Sequence, residues 1–284
     1  MAIKFGNNAD NTLNGAAGSD HLYGLGGDDT LYGRNGNDEL HGGSGDDELY
    51  GGRGVDTAVF STAQDVDASL LGSAGYGWSP DLGFDHLYDI ENLVTGSGDD
   101  TVAGNERANL LSSGAGHDEV FGDEGDDVID GGGGNDDLQG GFGDDHVRGG
   151  TGNDYVGGDE GDDVLEGNAG NDDLDGHFGV DIMTGGTGAD DFFLRPADSG
   201  AKLGERDIIT DFSQAEGDRL EVYFFDPPLE FIGTAAFSAA DQVRYVQSSG
   251  STFVQFNTDA DASADMVVEL TGTIDLAATD FVFV

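Results

Sequence analysis

The sequence predicts an all-β fold in which most of the chain winds through repeated coils. Three observations predict it. A nine-residue period covers 153 residues, one apolar residue recurs at a fixed place in that period, and residues 194–284 contain alternating, strand-like runs.

The first block is read in nines from Gly6, with units starting at Gly6, Gly15, Gly24, Gly33, Gly42 and Gly51 and ending at Val59. A second block begins at Thr95 and runs in strict register through Gly104, Ser113, Gly122, Gly131, Gly140, Gly149, Gly158, Gly167, Gly176 and Gly185 to Phe193. Of these 17 units, 15 have Gly first, the exceptions being Thr95 and Ser113, and 15 have Gly fourth, the exceptions being Ala9 and Arg107. The sixth position is Asp in 15 units and Asn in two, Asn11 and Asn109. The eighth is apolar in all 17, from Leu13 and Leu22 to Met183 and Phe192. Biased composition alone would not place an apolar residue at the same position of every unit.

The positions dictate the chemistry. Six glycine-rich residues turn through positive φ at no steric cost and bring backbone carbonyls inward, and the Asp supplies a carboxylate at the exit of the turn. The remaining three residues, such as Thr30-Leu31-Tyr32 or Asp137-Leu138-Gln139, form a short strand with the eighth side chain pointing in. Two turns and two strands close one coil of 18 residues. Hard oxygen donors of both kinds suit calcium, which takes about six to eight of them in flexible geometry. The candidate ligands are Asp20, Asp29, Asp38, Asp47, Asp56, Asp100, Asp118, Asp127, Asp136, Asp145, Asp154, Asp163, Asp172, Asp181 and Asp190. If turns two units apart share an ion, six units offer at most 4 sites and eleven at most 9, a ceiling of about 13 ions. The units at Gly6 and Gly104 lack both the fourth Gly and the sixth Asp, and are expected to be capping coils with weak or absent sites.

Units such as Gly131-Gly132-Gly133-Gly134-Asn135-Asp136-Asp137-Leu138-Gln139 and Gly149-Gly150-Thr151-Gly152-Asn153-Asp154-Tyr155-Val156-Gly157 closely resemble the glycine-rich calcium repeat of RTX proteins. The resemblance implies a calcium-loaded parallel β-roll on a substrate of type I secretion. The expected layout is a first β-roll block over 1–59, an insert over 60–94, a second block over 95–193 and a C-terminal β cap over 194–284.

Charge and composition sharpen this reading. The chain has 58 Asp or Glu against 10 Lys or Arg, a net charge of -48, with 51 Gly, 4 Pro and no Cys. Disulfides and zinc–thiolate sites are excluded. Nucleic acid is not an expected partner, because so acidic a surface repels phosphate backbones. The two blocks alone carry a net -32 and a core of one side chain per nine residues. Calcium binding and folding are therefore expected to be one event.

The insert carries Phe60-Ser61, the only Trp of the chain, Trp78, beside Tyr76, and the phrase Asp89-Ile90-Glu91-Asn92-Leu93. It is similar to the spacer that ends in "IEN" between RTX blocks, which implies a small β excursion packed on the roll. The cap has runs at Leu220–Phe224, Val243–Val246, Thr252–Phe256 and Met266–Leu270. Asp207-Ile208-Ile209-Thr210-Asp211-Phe212, followed by Glu216-Gly217-Asp218, resembles the phrase that follows the roll in RTX proteins. The loop Asp259–Asp265 has carboxylates at alternate positions but lacks the Gly and Glu of an EF-hand, and reads as a turn.

The N-terminus shows no apolar core of a secretory signal peptide, and no window approaches the ~18 apolar residues of a membrane-spanning helix. The last residues, Thr279-Asp280-Phe281-Val282-Phe283-Val284, resemble the uncleaved C-terminal signal of type I substrates. That resemblance implies the type I secretion apparatus as a partner and an extracellular location. Catalysis is not expected: no His lies in H-E-x-x-H, no Ser lies in G-x-S-x-G, and the carboxylate pairs recur in phase with the repeat. The expected function is that of a secreted, non-enzymatic structural or interaction protein. Two other roles rest on resemblance of layout: a membrane-active, pore-forming effector like the secreted nodulation proteins of rhizobia, with the host membrane as partner, and a module like those of mannuronan epimerases, with a cell-surface polysaccharide as partner.

Overall fold

A single apolar side chain per nine residues can be shielded from water only if successive units face each other across a narrow core, and this is what the backbone does. The computed structural model describes all residues except 73, 196–205, 224–228, 260 and 262. Among the described residues the fold is a parallel β-roll, and the one helical element is the 3₁₀ turn Ala278–Asp280. Alternate units feed two sheets. In one sheet His21–Gly26 pairs parallel with Glu39–Ser44, placing Leu22 beside Leu40, and in the other Thr30–Asn35 pairs with Glu48–Arg53, placing Leu31 beside Leu49. Sixteen of the eighth-position side chains are buried, and Leu13 in the first coil is half-buried.

Twelve of the seventeen repeat strands are six residues long, twice the predicted length. Each runs through positions seven to nine and into the first three residues of the next unit, so that Leu25 pairs with Gly43 and Gly26 with Ser44. The composition of those three positions hides this, because a ladder of backbone hydrogen bonds needs no particular side chain. The turn proper shrinks to positions four to six. There Gly134 sits at φ +142, and a Cβ on it would overlap the carbonyl oxygen of Gly116 in the preceding coil. Only glycine tolerates both conditions.

The chain divides into two compact units, Met1–Leu138 and Gln139–Val284. In the first, the insert is woven into the sheets instead of resting on them. Asn92–Val94 lies between Thr57–Val59 and Leu110–Ala115, and Leu93 takes the core place that an eighth-position residue would fill. In the opposite sheet Gly83–Tyr88 pairs parallel with Glu48–Arg53, Gly75–Ser79 runs antiparallel beside it, and Asp67–Ser69 joins that strand to Thr101–Asn105. Strands inserted in series leave no open sheet edge where the repeat stops, which an external excursion would.

In the second unit, predicted runs of the cap become the strands Arg219–Val222, Gln242–Ser248, Ser251–Asn257 and Met266–Thr271. Phe224, Ala260 and Ala262, which belong to predicted segments, lie outside the described residues. Ile208–Ile209 and Arg219–Val222 extend the two sheets in parallel register. The first of these passes to the antiparallel run 266–271, 251–257, 242–248, and the second to the last strand, Phe281–Phe283. Arg206 fastens this region, paired with Glu269 at 2.6 Å and lying 4.8 Å over the ring of Phe253.

Candidate metal centre

Position six closes each turn and directs its side chain back into the roll. All fifteen predicted aspartates are at most 3 % exposed. In thirteen of them one carboxylate oxygen accepts a backbone N–H from the neighbouring coil, which strings them into ladders.

In the first unit, Asn11 N–H donates to Asp29 Oδ1 (2.6 Å), Asp29 N–H to Asp47 Oδ1 (2.7 Å) and Asp47 N–H to Asp85 Oδ1 (3.0 Å). On the other edge the donors run from Asp20 to Asp38 (2.8 Å), from Asp38 to Asp56 (2.7 Å) and from Asp56 to Glu91 Oε2 (2.9 Å). Beyond the insert, Val66 N–H donates to Asp100, Asp100 to Asp118 and Asp118 to Asp136, while Asn109 donates to Asp127. In the second unit one ladder runs Asp145, Asp163, Asp181, Asp207 and the other Asp154, Asp172, Asp190, Asp218, with donor distances of 2.8 to 3.2 Å.

Four members of these ladders were not among the predicted residues: Asp85 and Glu91 from the insert, and Asp207 and Asp218 from the cap. Each lies off the 18-residue register, at intervals of 38, 35, 26 and 28 residues from the preceding carboxylate. Each nevertheless carries the signature of position six, an acid two residues before a buried apolar side chain: Leu87, Leu93, Ile209 and Leu220.

The second oxygen has a different environment. Oδ2 of Asp29, Asp38, Asp47, Asp56, Asp118, Asp163, Asp172 and Asp181 is buried and meets no hydrogen-bond donor. It faces the first-position glycine: a Cβ on Gly24 would overlap both Asp29 Oδ2 and the carbonyl oxygen of Gly42 in the next coil. Carboxylate and carbonyl oxygens thus converge where a Cβ would crowd them, which accounts for Gly in the first position of fifteen units.

Burial pushes these carboxyls up. Desolvation, opposed by the backbone N–H and reinforced by neighbouring acids, raises Asp47, Asp56, Asp163 and Asp190 to about 6, Asp127 and Asp172 to about 7, and Asp85 and Asp181 to about 8. Asp29, Asp38, Asp100 and Asp118 are also raised, mainly by burial. Asp20 is lowered, because the N–H groups of Ala16 and Ala2 donate to it.

Orphaned carboxylate oxygens beside inward carbonyls fit a hard divalent cation of flexible coordination, and calcium meets that description. Among the described residues no three acidic or His side chains cluster on one point, so any one ion would draw on main-chain carbonyls as well as carboxylates. The two asparagine units differ. Asn11 Oδ1 accepts the N–H of Asn7 and Asn109 Oδ1 that of Asn105, so neutral amides close those turns.

Fold and carboxylate ladders together define a calcium-binding β-roll. Residues 5–40 and 26–58 match the RTX calcium-binding nonapeptide repeat, and residues 81–283 match the C-terminal domain of the serralysin peptidases, family M10. The chain belongs to this serralysin C-terminal family of RTX repeat proteins. Neither match describes a catalytic domain, and proteins that carry the pair are typically secreted. No helix among the described residues is long and apolar enough to cross a membrane. No curated protein matches the chain significantly. Among solved structures, it is similar to a subunit of the mannuronan C5-epimerase of Azotobacter vinelandii, at 31 % identity over 49 % of this chain and 78 % of that one, with a TM-score of 0.37. It is also similar to the extracellular lipase LipA of Serratia marcescens, at 15 % identity over 99 % of this chain and 40 % of that one, with a TM-score of 0.28.

Proposed function

We propose that the protein is a secreted, non-enzymatic calcium-binding protein that folds when it meets calcium outside the cell and then serves as a structural or interaction surface. The observation that carries the reading is the row of buried Oδ2 atoms that have no donor and face inward carbonyls. The fifteen repeat aspartates would hold the ions, up to about 13 on the repeat geometry. The chain would divide into roll blocks over 1–59 and 95–193, joined by the 60–94 insert and closed by the 194–284 cap.

Export through a type I apparatus agrees with the family. In a calcium-poor cytosol, carboxylates repelling one another would keep the chain open for passage, and outside they would become the ligands that close it. A calorimetric calcium titration of metal-free protein, followed in parallel by far-UV circular dichroism, tests the coupling. Heat and strand signal are expected to saturate together with several ions bound. A strand spectrum already complete in chelator would overturn it.

A further inference from the structure

Three successive nine-residue repeats of the first unit, starting at Thr95, Gly104 and Ser113, join to their neighbours differently from the rest. Thr95 and Ser113 are the two exceptions to a first-position glycine, and both are buried. Thr95 Oγ1 donates to the carbonyl of Ser113 at 2.8 Å, and Ser113 Oγ donates to the carbonyl of Gly131 at 3.0 Å. Between them, Asn109 takes the place of an aspartate, and its Nδ2 donates to the carbonyl of Glu91 at 2.6 Å. The guanidinium of Arg107 adds an ion pair to Glu91 at 3.3 Å. Where the first residue is glycine, it has no side chain to reach the carbonyl of the next coil, and on the proposed function the ion would meet that oxygen.

Charge and core density favour the same segment. Residues 95–121 carry a net -4, against -8 in the next three units, 122–148. The adjoining insert buries seven apolar side chains, Phe60, Val66 and Leu70 among them, within the 34 residues from Phe60 to Leu93, well above one in nine. Its strands are hydrogen-bonded directly to these coils: Asp67–Ser69 to Thr101–Asn105 and Asn92–Val94 to Leu110–Ala115.

We infer that the insert and the repeats starting at Thr95, Gly104 and Ser113 form a nucleus that stays folded without calcium, with hydroxyl and amide donors in the role that the ion would have elsewhere. The ion-dependent coils on either side then add to a preformed template, which removes the cost of starting a parallel sheet from an open chain. This rests on the reading that calcium folds the other repeats.

Hydrogen exchange followed by mass spectrometry on the full chain, in chelator and in calcium, tests it. In chelator, peptides within 60–72 and 74–121 are expected to exchange at least about tenfold more slowly than those from 15–55 and 140–190, and calcium should protect the latter. The double variant Thr95→Gly/Ser113→Gly installs the residue that fifteen other units carry, so it should fold in calcium yet lose the central protection in chelator. Thr95→Ser alone should keep that protection. Uniformly fast exchange in chelator overturns the nucleus, protection that survives the double glycine variant overturns the role of the two hydroxyls in holding it, and either result leaves calcium-coupled folding intact. Uniform protection in chelator overturns calcium-coupled folding and the nucleus with it.

Discussion

At the scale of single residues, two kinds of glycine carry the repeat for different reasons. Gly24 occupies ordinary φ space, but its missing Cβ is the space into which Asp29 Oδ2 and the Gly42 carbonyl project. Gly18, in the preceding unit, has open space around the same missing atom and no positive φ. Gly24→Ala is therefore expected to destabilise the calcium-saturated protein by about 1–3 kcal/mol, the usual effect of overpacking, while Gly18→Ala stays near neutral. Thermal melts in saturating calcium separate the two, and equal melting temperatures would show that the first position tolerates a methyl group. Leu165 makes the complementary case: it is fully buried, and Leu165→Ala should destabilise by about 2–5 kcal/mol in the same assay.

At the scale of elements, legibility follows register. The pairing of two strands per coil and the inward eighth side chain were readable, because each depends on a side chain recurring every nine residues. The six-residue strands were not, since their second half is held by main-chain hydrogen bonds that leave no mark on composition. The insert was legible as a break but not as part of the sheets. Its strands rejoin the ladders after 38 and 35 residues, and a search at 18 passes over Asp85 and Glu91. Asp85 is 2 % exposed and accepts from Asp47 as a repeat aspartate would, so it should behave as one. Asp85→Asn is expected to lower the calcium stoichiometry measured by calorimetry by at least one ion. Asp46→Asn removes an equal charge from an exposed position and should leave the count unchanged. Equal stoichiometries in the two variants would place Asp85 outside the metal centres.

At the scale of the whole molecule, the net charge of -48 and the raised carboxyls describe one linkage. About 13 calcium ions would bring the total to about -22, so calcium can relieve much of the self-repulsion and still leave an acidic, soluble surface. Protons can substitute in part. A carboxyl at about 3.8 in the open chain and raised to about 6, 7 or 8 in the folded one, as for Asp56, Asp172 and Asp181, takes up a proton on folding. Its contribution favours the folded state below the open-chain value and is lost as pH rises through the folded value. Metal-free protein is therefore expected to gain strand structure as pH is lowered from 8 to about 5, and to lose it again between about 6 and 8 on the return. Calcium should abolish that dependence near neutrality by holding the same oxygens ionised. Far-UV circular dichroism across this range, with light scattering to exclude precipitation near the isoelectric point of about 4.1, makes the measurement. A metal-free spectrum that is equally open at pH 5 and pH 8 would mean that neutralising the buried carboxyls is not enough. The ion would then be needed for its geometry, drawing carbonyls of two coils onto one centre, and not only for its charge.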